Sequence, residues 1–406
     1  MIKGTKKSFA IAVLFLLALV ESFFAAGSLQ YYDEVLGILS FLYVLYAILT
    51  RGRFDRFVNK TLVLTVLFVL IGLLSNYIYC VQSDWKSILI DVFTFVKPFL
   101  VFLAICLALC KKSDICYSYE LVMKISRGLS YALLVGIIVG CIFNTDLAYY
   151  DIWAIVKSVK TYVFFAKYPS ILAMYTCSII GLLSTGIDDR RNKRCIIICL
   201  IVLLLTQSGI GFIGVFLFLA LQFFFKHTGK IRWYHVIALV IGGSIVGYTE
   251  IREYLLNTES ARSLLFIYGI RYALKYFPLG AGFATFGSAE AAKNYSKLYI
   301  EAGFLTRWGM GPGDNSFYLH DAYYPMIIGQ FGFIACLIYI FYWGWFFFRL
   351  NTIKNKNFRI SSFYCLILLL IANLGQGGFS SIAGILVLGE LGMFLKYDNV
   401  MSSIRG

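Results

Sequence analysis

Long apolar segments alternate with short polar segments along almost the whole chain. Each apolar segment approaches the length of about 20 helical residues that a bilayer requires. The twelve segments are 8–26, 33–50, 61–80, 88–110, 128–143, 165–186, 195–207, 210–225, 233–250, 322–348, 360–376 and 379–396. The pattern predicts an all-α polytopic membrane protein with about 12 transmembrane helices.

Composition agrees with this prediction. Hydrophobic residues make up 60% of the 406 residues, and mean hydropathy is +0.80, whereas a soluble domain is about half apolar. The net charge of +15 would suggest nucleic-acid binding in a soluble chain. Short cytoplasmic loops of membrane proteins also collect Lys and Arg, so no nucleic-acid partner is expected.

The distribution of positive charge predicts the orientation. With a cytoplasmic N-terminus, the inner segments hold 24 Lys and Arg residues and the short outer loops hold four. The inner segments are 1–7, 51–60, 111–127, 187–194, 226–232, 349–359 and the tail from Lys396; the outer residues are Lys86, Lys157, Lys160 and Lys167. Both termini are therefore expected in the cytoplasm, and segment 251–321 is expected outside.

The same reading divides the chain into three parts. Residues 1–250 form a nine-span membrane region, 251–321 a large extracytoplasmic loop, and 322–406 a three-span membrane region. The first apolar run could be a signal peptide cleaved after Ala25-Ala26-Gly27. Glu21 and the length of the run favour an uncleaved anchor.

Two spans, 195–207 and 210–225, are short and meet at TQSGIG. The turn, with Ser208 and Gly209, is expected to dip into the membrane from outside, which is tolerated where backbone lines a cavity or packs on protein. Ser208 is therefore a candidate ligand-binding residue.

The outer loop carries seven basic residues, which no charge rule for short loops explains. Residues 260–277 are predicted to form a helix. On it, Arg271 and Lys275 lie close enough to grip one anion, whereas Arg262 lies about 180° from Arg271 and joins them only where Gly269 breaks the helix. The alternative is an amphipathic surface helix with solvated basic side chains.

The helix is expected to end before Pro278, and Gly280 and Gly282 follow where backbone could turn sharply and approach a ligand. At the other end of the loop, His320 and Asp321 stand at the mouth of the next span. A histidine there can exchange a proton near neutral pH, or it can be an ordinary interfacial residue.

Lys97 is the one basic residue left inside a span, about nine residues or roughly 14 Å from its start. An ionisable residue at that depth is a functional candidate, and the alternative is a structural pair with Asp91 or Glu21. The ten cysteines lie in or beside apolar segments, which predicts neither a disulfide framework nor a metal site.

Several of these features resemble the bacterial O-antigen polymerase and ligase superfamily, the Wzy polymerases and WaaL ligases. The resemblance rests on an Arg-led helix running into Pro-Leu-Gly-x-Gly-Phe, and on His320 followed by Gly329 and Gly332. It covers residues 195–337. It implies a glycosyltransferase architecture of the GT-C type and glycosyl transfer from a polyprenyl pyrophosphate on the outer side of the cytoplasmic membrane.

By this resemblance Arg271 would contact the pyrophosphate and His320 would serve catalysis, while Pro278, Gly280 and Gly282 would shape the loop. Lys275, Asp321, Arg262 and Lys97 are added as candidates on chemical grounds. Many family members carry Ser-Arg at the outer turn, where this chain has Ser208-Gly209. Arg262 and Lys97 are the candidates to replace the missing charge.

The expected activity is a repeat-unit polymerase whose substrates are undecaprenyl-pyrophosphate-linked oligosaccharides. Membrane lipids, a chain-length regulator and a flippase are the further partners implied. No Asp-x-Asp occurs in the outer loop, so no metal and no other cofactor is expected. Two alternatives stay open: an O-antigen ligase of the same superfamily, and a lipid-linked oligosaccharide flippase, which would not need a basic outer loop.

Overall fold

The computed structural model describes residues 32–51, 54–150, 158–166, 168–228, 232–252, 256–375 and 377–405. The predicted first span, Glu21 and the candidate cleavage site lie outside the described residues. The helices are α1 Tyr32–Arg51, α2 Arg56–Tyr79, α3 Trp85–Ala108, α4 Lys112–Ile142, α5 Pro169–Ser184, α6 Arg190–Leu205, α7 Gly209–Thr228, α8 Trp233–Val246, α9 Tyr248–Ile251, α10 Ala261–Lys275, α11 Ala289–Lys293, α12 Lys297–Glu301, α13 Tyr323–Asn351, α14 Lys356–Ala372 and α15 Ile382–Arg405. A 3-10 turn covers Gly313–Asn315, and one short antiparallel hairpin pairs β1 Ala148–Tyr149 with β2 Thr161–Tyr162.

The all-α class is confirmed, and every predicted apolar segment within the described ranges falls on a helix. Among the residues that the structure describes, five helices are long and apolar enough to cross a membrane: α1, α2, α3, α4 and α13. Large apolar side chains, such as Leu49 and Tyr77, are exposed on the outer faces of these helices. Such faces are suited to contact with lipid. The chain is therefore a multi-pass membrane protein, while the count of twelve spans stays a prediction.

One boundary differs from the expectation. The predicted inner segment 111–127 and the predicted span 128–143 form the single 31-residue helix α4. At 1.5 Å per residue this helix is about 46 Å long, which exceeds the hydrocarbon thickness of about 30 Å. The first half of α4 is amphipathic, with charged side chains between apolar ones, and its mean hydropathy is therefore low.

Helix α3 lies at the centre of the described helices and packs against α1, α2 and α15. Aromatic side chains fill the space between these helices. Phe95, for example, contacts Phe68 of α2, Phe331 of α13 and Phe283 of the outer loop. The segment predicted to be the outer loop is thus packed directly on the membrane helices.

Helix α13 is sharply kinked at Gly332, where φ is 64° and ψ is −163°. The rings of Tyr323 and Tyr339 are 6.5 Å apart, although 16 helical residues would separate their backbones by about 24 Å in a straight helix. The two halves of α13 therefore fold back toward each other. Helix α10 packs along α13, with Gly269 against the backbone of Pro325.

The described part of the outer loop has a hydrophobic core of its own. Tyr272, Phe286, Tyr299 and Phe304 are completely buried in it. The Tyr272 hydroxyl donates to the carbonyl of Leu298, which joins α10 to α12. The loop is therefore a folded unit, and an amphipathic helix lying alone on a membrane surface does not describe it.

The orientation can be tested by cysteine labelling. In a variant without the ten native cysteines, Thr306→Cys places a thiol at an exposed loop position, and Lys193→Cys places one in a predicted inner segment. We expect a membrane-impermeant maleimide to label Thr306→Cys in intact cells and Lys193→Cys only after permeabilisation. The reverse pattern would overturn the orientation.

Candidate active site at the base of the outer loop

An ion pair joins the start of α10 to the end of the outer loop. The Nε and Nη2 atoms of Arg262 both donate to Oδ2 of Asp321, at 2.9 and 2.7 Å. Both side chains are partly buried. Ser260 caps α10 by accepting from the amide of Ser263, which sets Arg262 in the first helical turn.

The turn between α14 and α15 packs against this ion pair and against the residue that precedes Asp321. Gly375 lies against the Arg262 guanidinium, since a Cβ there would sit 3.4 Å from Nη1. Gly377 lies equally close to the carbonyl oxygen of His320. His320, Asp321 and Arg262 therefore line the junction between the outer loop and the last two helices, and we call these three residues the basal site.

The surroundings change the proton affinity of the basal site. Desolvation lowers the pKa of His320 below its usual value, and the nearby Asp321 carboxylate opposes this only in part. Desolvation likewise raises the pKa of Asp321, against the opposing effects of Arg262 and His320. A histidine with a lowered pKa is neutral near pH 7 and can accept a proton.

Arg271 and Lys275 lie elsewhere on α10. The helix is continuous through Gly269, so Arg262 and Arg271 point to opposite sides and are about 14 Å apart along the axis. The Arg271 guanidinium lies 4.7 Å from the ring centroid of Tyr268. Lys275 donates to both carboxylate oxygens of Glu301, at 2.7 and 2.8 Å, so these two basic residues have different partners in the structure.

Gly280 and Gly282 lie against other parts of the protein in the structure. Both have positive φ, 77° and 89°. A Cβ on Gly280 would lie 2.4 Å from the amide nitrogen of Gly332, and one on Gly282 would lie 2.7 Å from the side chain of Asn76. Because they lack a side chain, these glycines allow the loop to pack closely against the kink of α13 and against α2.

Buried polar groups of α2 and α3 hold this segment in place. Ser75 donates to the carbonyl of Gly280 at 2.5 Å, and the Asn76 side chain both donates to and accepts from the backbone of Phe283. Asp91 accepts from the amide of Ala284 at 2.6 Å and from Gln330 at 3.1 Å. These anchors were missed at the sequence level, although a carboxylate within an apolar segment is a detectable signal.

Lys97 does form an ion pair inside the membrane region, but with other partners than expected. Its ammonium contacts the Asp33 carboxylate and lies 3.7 Å from Glu34 Oε1, both in α1. Asp91 binds the outer loop instead. Lys97 is buried and linked to α1, and nothing in the described residues connects it to the basal site.

Ser208 has a local structural role. Its hydroxyl accepts from the amide of Gly211 at 3.1 Å and so caps α7. The preceding residue, Gln207, donates to the carbonyl of Val159 at 2.7 Å and thereby ties this turn to the β-hairpin region. The turn is thus covered by protein on that side.

A second buried carboxylate was also missed. Glu390 of α15 is completely buried and accepts hydrogen bonds from Ser178 of α5 and, at 3.4 Å, from the thiol of Cys365 of α14. These contacts link three helices. Within the described ranges, no group of three or more His, Cys, Asp or Glu side chains could hold a metal ion.

Comparison with known proteins adds no family assignment. The chain matches no protein-family model, and no curated protein shows significant similarity to it.

Proposed function

We propose that this protein is a polysaccharide polymerase of the cytoplasmic membrane. It would transfer glycan from an undecaprenyl pyrophosphate carrier to a lipid-linked acceptor repeat unit on the outer side. The observation that carries the proposal is the basal site: His320 directly precedes Asp321, which pairs with Arg262 where a folded loop meets the membrane helices. The resemblance of the loop motifs to the O-antigen polymerase and ligase superfamily supports it.

The reaction needs a base and a stabiliser of negative charge. His320 would accept the proton of an acceptor hydroxyl while the oxygen of that hydroxyl attacks the anomeric carbon of the donor sugar. The bond from that carbon to the carrier oxygen breaks, and the carrier leaves as a pyrophosphate anion. A guanidinium stabilises such an anion well because it can donate two parallel hydrogen bonds.

Two arginines compete for that second role. The family resemblance assigns it to Arg271, whereas the ion pair with Asp321, which follows His320 in the chain, favours Arg262. Since they face opposite sides of α10, both cannot contact the same phosphate group. We assign Arg262 to the leaving group, with Asp321 orienting the guanidinium, and Arg271 with Lys275 to the outer surface of the loop, where an incoming anionic substrate would first meet the protein.

A deletion strain tests the proposal through the length and location of its glycan. We expect loss of the long glycan ladder, accumulation of single repeat units on the outer leaflet, and recovery of the ladder with a plasmid copy. Long polymer that stays on the lipid carrier would instead indicate the ligase. Single units trapped on the cytoplasmic leaflet would indicate the flippase, and either result would overturn the polymerase assignment.

A further inference from the structure

Four buried polar groups beside the basal site lack a hydrogen bond of normal geometry, although the Tyr339 hydroxyl interacts with the Trp343 indole and the Asn373 amide with the Tyr324 hydroxyl. They are the hydroxyls of Tyr323 and Tyr339, the indole nitrogen of Trp343 and the amide nitrogen of Asn373. None of these residues is more than 6% exposed. Buried polar groups are nearly always well paired in native proteins, so several such groups in one place need an explanation.

The four groups belong to one aromatic cluster. The kink in α13 brings Tyr323 to Tyr339, and the Tyr339 ring lies 5.9 Å from that of Trp343. Phe379, in the turn between α14 and α15, lies 5.4 Å from Tyr323 and 5.3 Å from Trp343. The amide of Phe379 donates to the side-chain oxygen of Asn373 at 2.8 Å, so Phe379 touches three of the four residues.

This cluster is continuous with the basal site. Tyr323 follows Asp321 by two residues, and its amide donates to the carbonyl of Asn373 at 3.2 Å. The same turn carries Gly375 against Arg262 and Gly377 against His320. A molecule that reached the cluster would therefore lie close to the segment that carries His320 and Asp321.

The chemistry of the cluster selects a neutral, polyhydroxylated ring. Tyrosine hydroxyls donate and accept, and the indole and amide nitrogens donate, which suits sugar hydroxyls. Flat aromatic faces suit the apolar face of a sugar ring. The cluster itself contains no cation, so a phosphate is better served by Arg262.

We propose that Tyr323, Tyr339, Trp343 and Asn373 form the subsite for a sugar ring of the acceptor glycan. Phe379 packs against Tyr323 and Trp343 in the unliganded protein and is displaced when the sugar enters, so that these polar groups gain the sugar hydroxyls as partners. The assignment rests on the proposed function. The subsite would bind the acceptor glycan, whereas the basal site would act on the proton and the leaving group.

The test removes single hydroxyl groups. Tyr323→Phe and Tyr339→Phe delete a hydroxyl that lacks a hydrogen bond of normal geometry, so the thermal unfolding temperature of the purified protein should stay the same or rise. Transfer is measured with lipid-linked repeat units extracted from the deletion strain. We expect the KM for the acceptor to rise about fivefold to tenfold with kcat and the KM for the donor unchanged, as loss of one hydrogen bond to bound substrate predicts.

Tyr162→Phe is the matched control. Its buried hydroxyl, in the β-hairpin, donates to the carbonyl of Leu133 at 2.9 Å, so this variant should unfold at a lower temperature with an unchanged acceptor KM. Wild-type acceptor KM values in Tyr323→Phe and Tyr339→Phe would overturn the subsite and leave the polymerase standing. A wild-type protein that makes no polymer would overturn the proposed function and the subsite with it.

Discussion

Replacing His320 with alanine is expected to reduce polymer formation by about a hundredfold or more, the usual contribution of a positioned general base. The lowered pKa keeps the imidazole neutral at pH 7, so the wild-type side chain is ready to accept the proton of the acceptor hydroxyl. The variant should still bind lipid-linked substrate, and single repeat units should accumulate. Glycan chain length is measured on gels, beside the amount of protein extracted from the membrane.

A substitution elsewhere on the loop controls for damage to the loop. Lys293 is 71% exposed and pairs only loosely with Glu290, so Lys293→Ala should give a wild-type ladder. Wild-type activity should also fall only when the pH drops below the ordinary range of histidine, because the lowered pKa delays protonation of the base. A normal ladder from His320→Ala at normal abundance would remove His320 from the reaction.

The second large effect is expected on folding. Gly280→Ala should remove most folded protein from the membrane, because the new Cβ would lie 2.4 Å from the amide nitrogen of Gly332 and 2.6 Å from the backbone of Gln330. Neither neighbour can move without disturbing the kink of α13. The measurement is the yield of monodisperse protein after detergent extraction, followed by size-exclusion chromatography.

Gly303→Ala separates this clash from backbone strain. Gly303 has φ of 72°, close to the 77° of Gly280, but nothing lies within 4 Å of its Cβ position. A left-handed residue other than glycine costs about 1 to 2 kcal/mol, so this variant should be extracted in nearly normal yield. Equal yields from the two variants would show that Gly280 is not held in the kink.

Hydropathy determined the helical architecture well. The predicted helix 260–277 is found as Ala261–Lys275, because Ser260 supplies an N-cap and the Pro278 ring forbids continuation. Helix α4 was predicted too short, since its amphipathic half has low mean hydropathy and a hydropathy window cannot recognise it. Local propensity and apolar periodicity act within a few turns, and for this reason they can be read along a chain.

The candidate residues were found from their chemistry, but their grouping was not. Sequence placed Arg262, His320 and Asp321 on the outer loop, and it placed Arg271 and Lys275 on one helical face. It could not show that Arg262 meets Asp321 across 59 residues, or that Lys97 pairs with Asp33 and not with Asp91. Such pairs depend on how whole helices pack, which no local pattern records.

The sequence alone thus determined that this is an all-α membrane protein with a large basic loop, because apolar length and charge distribution act residue by residue. Only the tertiary structure decided that Gly280 packs against Gly332 at the kink of α13 and that Asp91 accepts a hydrogen bond from the loop. The contact between the rings of Tyr323 and Tyr339 also became visible only there. The physical reason is that each of these contacts depends on how residues distant in the chain pack together or pair their buried polar groups.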